Sequence, residues 1–412
     1  MTTPRANAND RRATVRGGRA AETSAPQNSA PPRGNEDSPP RPSSPLARRA
    51  RGFVRRRGRF VAGVAIVALF YLAAALADFV APYDYRAQSR DETDAPATSI
   101  HLFDAEGRFH PRPFVHASRL ADPLARAYAE DASRRFPLRL FARGYTYKLL
   151  GVLTTDRHLF GVAPEDGNFA QRDSHQTPTA PLVHLLGADK LGRDRFSQLL
   201  AASRFSLAVA PLGTILAGAL GVLVGCLAGY AGRKADAVLM RAADAMLALP
   251  ALVLILAARA ALPLNLPTTR AAAFLVAVFL AVGWAEMARL VRGLVLELRS
   301  REFVVAARSL GMTEARVLAR HILPNASRAV LVQLSLMLPA FLLAETALSF
   351  LGVGVQEPEV SWGKMLADAQ DLTRLSAQPF LLLTPAVAIF LFVLGVRLAS
   401  DGLRRDGEDA RG

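Results

Sequence analysis

Six apolar runs constrain this chain more than anything else in it: residues 60–77, 207–229, 242–262, 271–288, 329–351 and 379–399. Each reaches the roughly 18 to 20 residues that a helix needs to cross a hydrocarbon core. Inside a bilayer every backbone N–H and C=O must find a partner within the protein, so runs of this length fold as helices. With 51% hydrophobic content over 412 residues, they predict an all-α polytopic membrane protein with six spans. Charge orients them. Segments assigned to the inner side after the first span carry 15 Lys and Arg, against 4 in the two short outer loops. Cations are retained on the cytoplasmic side, so both termini are expected there.

The spans divide the chain into parts. Residues 1–59 read as a disordered basic cytoplasmic tail, rich in Pro, Ser, Asn and Arg. The tail holds 14 Arg against 4 acidic residues, so ten of the net +15 charges lie in it. Without an array of interleaved aromatics, this is no nucleic-acid signal. The cluster at 48–59 reads as a topological anchor, with anionic lipid as the other reading. Residues 60–81 form the first transmembrane helix, a retained signal-anchor with no convincing cleavage site. Residues 82–190 are polar and read as a β-rich extracytoplasmic insertion between the first and second spans. Within it, 100–109 predicts a β-hairpin turning at Gly107, and 136–141 and 144–147 predict strands. Its histidines lack metal-ligand spacing, so no metal is expected. Residues 191–412 read as a five-helix membrane core. Cys226 is the sole cysteine, so no internal disulfide is possible.

The longest charged stretch between apolar runs is 301–325. Glu302 to Leu310 holds no Gly or Pro and predicts a short helix. Gly311 is a natural left-handed stop. Thr313 can cap a second helix with Arg316 and Arg320 on one face, and Pro324 starts the next element. Ala306 and Ala307 offer a surface with almost no side chain, where another protein could approach closely. No phosphate-binding loop, no catalytic triad and no paired His ligands are present, so the chain is expected to be no enzyme and to hold no cofactor. A stand-alone secondary transporter or channel is the alternative. It would need charges central in the spans and an internal repeat, whereas Asp244, Glu286 and Glu345 lie near span ends and read as interhelical or headgroup contacts. A membrane-anchored structural protein would need only the first span.

The same residues carry a resemblance. Ala306-Ala307, Gly311 and His321-Ile322-Leu323-Pro324-Asn325 resemble the "EAA" signature of ATP-binding-cassette importer permeases, with Val305 where Glu is usual. Glu302 is similar to a second acidic position of the dipeptide/oligopeptide/nickel branch. Leu186–Arg195, with Ala188 in place of Thr, resembles a stretch of that branch, as do Ser349–Gln356, Ser361-Trp362-Gly363 and Asp401-Gly402-Leu403-Arg404. The resemblance runs from about Leu186 to Arg405 and identifies the chain as a C-type permease subunit of the type I importer kind. It implies a multi-pass protein of the bacterial inner membrane that carries oligo- or dipeptides, with nickel as the lesser choice. It also implies a second homologous permease, two ATP-binding subunits that hold the ATP, and an extracytoplasmic solute-binding protein as partners. Segment 301–325 would then be the coupling segment: Ala306 and Ala307 for close approach, Gly311 for the bend, Glu302 and Arg308 for polar contacts, and Ile322 and Pro324 leading into the fifth span.

Overall fold

Long apolar runs become long helices in the computed structural model, which describes residues 45–104, 106–122, 127–162, 182–250, 253, 256–257, 260 and 267–405. Five helical stretches among these are long and apolar enough to cross a membrane. They lie in α1 (Pro45–Ala75), α3 (Arg195–Tyr230), α5 (Thr268–Leu298), the continuous stretch Glu314–Phe350, and α11 (Phe380–Arg405). Between α3 and α5 comes α4 (Arg233–Ala248). A short α6 (Glu302–Ser309) and α7 (Glu314–Val317) precede a π turn (Leu318–Ile322) and α8 (Leu323–Phe350). Two further short helices, α9 (Trp362–Ala367) and α10 (Leu372–Ala377), lie between α8 and α11.

Three expectations need correction. Helix α1 begins at Pro45, so residues 45–59 are helical and not tail. Proline suits the first turn of a helix, and the Arg and Ala that follow are strong helix formers. Of the expected span at 242–262, residues 251–252, 254–255, 258–259 and 261–262 lie outside the described residues. The first part of that span belongs to α4, which ends at Ala248 with Leu249 extended. Pro250 therefore interrupts the expected run, because the residue before a proline is pushed out of the helical region. The stretch 352–378, expected as an outer loop, folds back into the bundle. Trp362 is fully buried between Phe70 of α1 and Phe392 of α11, with ring centroids 5.8 and 6.3 Å away.

Helix α3 is the central post. Gly221, Gly225 and Gly229 recur every fourth residue on the face that meets α5, and a Cβ at Gly225 would lie 2.6 Å from the Ala288 carbonyl oxygen. Small residues let helix backbones approach where lipid provides no hydrophobic drive for association. Phe279 of α5 and Phe341 of α8 stack at 4.6 Å near the same seam.

Residues 101–162 form a four-stranded antiparallel sheet in the order β1 (His101–Phe103), β2 (Phe109–Asp122), β3 (Ala127–Leu149), β4 (Leu153–Val162). Gly107, at φ +75°, turns β1 into β2. The two strands expected at 136–141 and 144–147 are parts of the single strand β3. Its first half pairs with β2 and its second half with β4, and the irregularity near Gly144 is a register shift, not a break. The sheet meets the helices at α2 (Ala77–Val80). His158 is buried there, its ring nitrogens 2.8 Å from the Asp78 carbonyl and 3.0 Å from that of Tyr145.

Candidate coupling site

The segment after α5 builds a compact bracket. Helix α6 closes on Gly311, which sits at φ +80°. Gly311 N donates to Arg308 O at 2.9 Å and Met312 N to Ala307 O at 3.2 Å. This pair of bonds is the Schellman closure of a helix, and it requires the left-handed conformation that glycine adopts without steric cost. Thr313 then stands at the N-terminus of α7, though its side chain makes no capping bond. Pro324 lies in the first turn of α8. Its ring would crowd the carbonyl of the preceding turn and it has no N–H to offer. The turn ahead of it, Leu318–Ile322, is accordingly widened to a π turn.

One side of the bracket is anchored. Val304, Ala307, Val317 and Ile322 are buried in one cluster with Cys226 of α3, Met287, Val291 and Val295 of α5, and Met337 of α8. The other side is bare: Glu302, Phe303, Val305, Ala306 and Gly311 are exposed, and Leu310 is 85% exposed. The paired alanines therefore separate. Ala306 lies on the open face as expected, but Ala307, at 5% exposure, packs inward and offers no surface. Ile322 is likewise an anchor and Pro324 is exposed. Arg308 makes polar contacts within the bracket itself. Its Nε lies 3.0 Å from Glu314 Oε1, and its guanidinium lies 6.0 Å from the centre of the Tyr230 ring. It braces α6 against α7 and the end of α3.

Of the acidic residues in or near the spans, Asp244 and Glu286 are exposed, and Asp244 lies 3.6 Å from Arg289. Glu345 is fully buried. Its Oε1 accepts from Ser349 Oγ at 2.8 Å, and the hydroxyls of Ser206 and Ser361 face it. It joins α8 to α3 and to the start of α9, an interhelical contact.

At the opposite end of α3 the chain is locked by charge. Asp194 caps α3, accepting from Ser197 N at 2.8 Å, while its other oxygen lies 3.0 Å from His184 Nδ1. Glu92 lies 3.4 Å from His184 Nε2. Burial alone would push the His184 pKa down, but the hydrogen bonds and charges of Asp194 and Glu92 outweigh it and raise it to about 9. An ordinary histidine titrates near 6.5. The raised folded value means that this contribution is full below about pH 6.5 and lost as pH rises through about 9. The stability of the purified chain in thermal unfolding should therefore fall between these limits by on the order of 3 kcal/mol. His184→Gln should flatten that slope, and an equal slope in both proteins would refute the assignment.

Sequence reading found the bracket but not the lock, because Glu92 and His184 are far apart in the chain and neither sits in a motif. Two family models match this chain. The model for the binding-protein-dependent transport system inner membrane component covers residues 221–405, and that for the N-terminal TM domain of oligopeptide transport permease C covers residues 44–98. The chain is 36% identical over 221 residues to the oligopeptide transport system permease protein OppC of Bacillus subtilis (strain 168), covering 54% of this chain and 70% of that one. It is 35% identical over 291 residues to the dipeptide transport system permease protein DppC of the same organism, covering 70% and 88%. A putative peptide permease protein of Brucella ovis is 37% identical over 228 residues, covering 55% and 73%. A chain of the MetNI methionine ABC transporter in inward-facing conformations aligns over 51% of this chain and 95% of its own, at 18% identity and a TM-score of 0.41.

Proposed function

The chain belongs to the inner-membrane permeases of peptide ATP-binding-cassette importers, and from that premise we propose that it imports oligo- or dipeptides, driven by ATP hydrolysis on partner subunits docked at α6–Gly311–α7. The observation that carries this reading is the two-sided bracket. Its bare face, with Phe303, Val305, Ala306 and Leu310, presents an apolar ridge that another protein can cover. Its anchored face is continuous with the core of α3, α5 and α8. A push on the ridge is therefore delivered to the spans, because a close-packed contact transmits displacement and does not absorb it.

The coupling roles follow from this placement. Ala306 keeps the ridge low, Glu302 offers a carboxylate at its start, and Gly311 holds the bend. Arg308 braces the bracket internally, and Ala307 and Ile322 tie it to the spans. Pro324 sets the turn through which motion reaches α8. The partners are a second, homologous permease, two ATP-binding subunits in which the ATP resides, and an extracytoplasmic solute-binding protein. On this reading the sheet of 101–162 lies on the extracytoplasmic side and both termini are cytoplasmic.

Gentle detergent purification of the tagged chain from its native membrane, with mass spectrometry and an ATPase assay, tests the proposal. The expected result is co-recovery of a permease and ATP-binding subunits, with hydrolysis stimulated by binding protein and peptide. A chain that comes out alone, even after crosslinking at position 306, points instead to a stand-alone transporter.

A further inference from the structure

The hairpin of β3 and β4 ends in Leu149-Leu150-Gly151-Val152-Leu153, and this tip is bare: Leu150 is 66%, Val152 88% and Leu153 63% exposed. An apolar tip on a soluble-facing sheet is unusual, since contiguous exposed apolar patches mark contacts. The contacts of the hairpin say which way it points. Phe160 of β4 lies beside Phe196, in the first turn of α3, with ring centroids 5.9 Å apart. Two residues nearer the tip, His158 meets the Asp78 carbonyl, and Phe141 lies beside Phe79 at 6.2 Å. Nearer still, Tyr145 is half-buried beside Asp78, Asp84 and Arg204, and Asp78 and Arg204 form an ion pair at 2.9 Å. From Phe196 to Arg204 helix α3 runs toward its apolar segment. The hairpin therefore descends alongside α3 and the end of α1, tip first.

Arg204 is the last charge on α3 before Arg233, at the start of α4. The uncharged stretch between them rises about 42 Å at 1.5 Å per residue, against a hydrocarbon core of about 30 Å. Arg204 thus stands about 6 Å outside the hydrocarbon if the stretch is centred. From His158 to Val152 the strand advances roughly 20 Å. That distance is ample to bring the tip past the level of Arg204 into the interface. The residues behind the tip suit such a site: Arg143, Lys148 and Arg157 are exposed and Tyr145 is half-buried, and cationic and amphipathic aromatic side chains belong at headgroup depth.

We propose that the β3–β4 hairpin is a membrane foot, its tip Leu149–Leu153 seated among the lipids of the leaflet on the sheet's side of the membrane, with Arg143, Lys148 and Arg157 at the phospholipid headgroups. It holds the sheet against the first and second spans from the lipid side. The inference needs only that the chain spans a membrane and is independent of what is transported.

The test uses the full chain in vesicles of phosphatidylethanolamine and phosphatidylglycerol, with the buried Cys226 replaced by Ala and single nitroxide labels at Leu150→Cys, Val152→Cys and Ala129→Cys. Ala129 is exposed at the far end of β3. Collision with oxygen is expected to exceed collision with a water-soluble nickel complex severalfold at 150 and 152, and the reverse is expected at 129. Nickel-complex access at 150 and 152 equal to that at 129 would overturn the proposal. So would exclusion of both reagents from the tip, which would mean that a protein surface covers it.

Discussion

Ala306→Arg is expected to abolish peptide uptake while leaving the chain folded and inserted. The side chain of Ala306 lies on the exposed face of α6, between Phe303 and Leu310. An arginine there projects from the ridge into the space that a docked ATPase subunit would occupy. Exposed substitutions away from structural features usually stay within about 0.5 kcal/mol in stability. Interface crowding is different: a loss of about 1.4 kcal/mol in docking is a tenfold loss in the docked population, and a protruding cation should cost several times that. Ala307→Arg, one residue on, should fail at an earlier stage. Ala307 packs against the cluster of Val291, Val295 and Val317, and an unpaired charge in that position costs several kcal/mol. The first variant should therefore be recovered from the membrane at normal yield with uptake reduced more than tenfold, and the second should be poorly recovered. Normal uptake by Ala306→Arg would remove the bracket from the coupling route.

These neighbouring alanines show where sequence reasoning stops. The bend at Gly311 was legible because a left-handed backbone has a residue-type signature. Which alanine turns inward was not, since that depends on the rotation of α6 against α5, and nothing within 301–325 encodes it. The fold shows the same division. Five of the six expected spans coincide with long apolar helices, and the hairpin at Gly107 was readable as a turn between alternating strands. The return of Trp362 to the bundle was missed because its flanking residues are those of a loop, and its partners Phe70 and Phe392 lie in the first and last long helices. The helical start at Pro45 was hidden by arginine, which reads as tail by charge and as helix by propensity. Glu345 reads from sequence as an interhelical or headgroup contact; Ser349, one turn on, is within reach of that reading, whereas Ser206 lies on another helix and is not.

Gly225→Val should be strongly destabilising to the bundle. A Cβ at this position would lie 2.6 Å from Ala288 O, 2.8 Å from Val291 Cβ and 3.1 Å from Arg292 N, two of which are backbone atoms of α5. Side chains can rotate away, but a helix backbone cannot, so α3 and α5 must separate. The gain in helix propensity on leaving glycine is up to about 1 kcal/mol. Overpacking costs about 1 to 3 kcal/mol for modest insertions, and a branched residue against backbone lies at or above the upper end. The loss therefore wins by about 2 kcal/mol or more, and the apparent Tm in detergent should fall by a few degrees, since a long chain shifts by less than about 2 to 4 °C per kcal/mol. Gly293 supplies the control. It lies within α5, yet a Cβ there would meet nothing within 4 Å, so Gly293→Ala should leave the Tm unchanged or raise it slightly. The consequence extends beyond stability. Val291 and Val295 face the glycine seam on one side and the buried anchors of the coupling bracket on the other. Forcing α5 away from α3 should loosen the bracket as well, so the milder Gly225→Ala should lower ATP-driven uptake more than Gly293→Ala at matched protein levels. Equal uptake and equal Tm in the two alanine variants would mean that the seam has slack, and that motion of the bracket reaches the spans by another path.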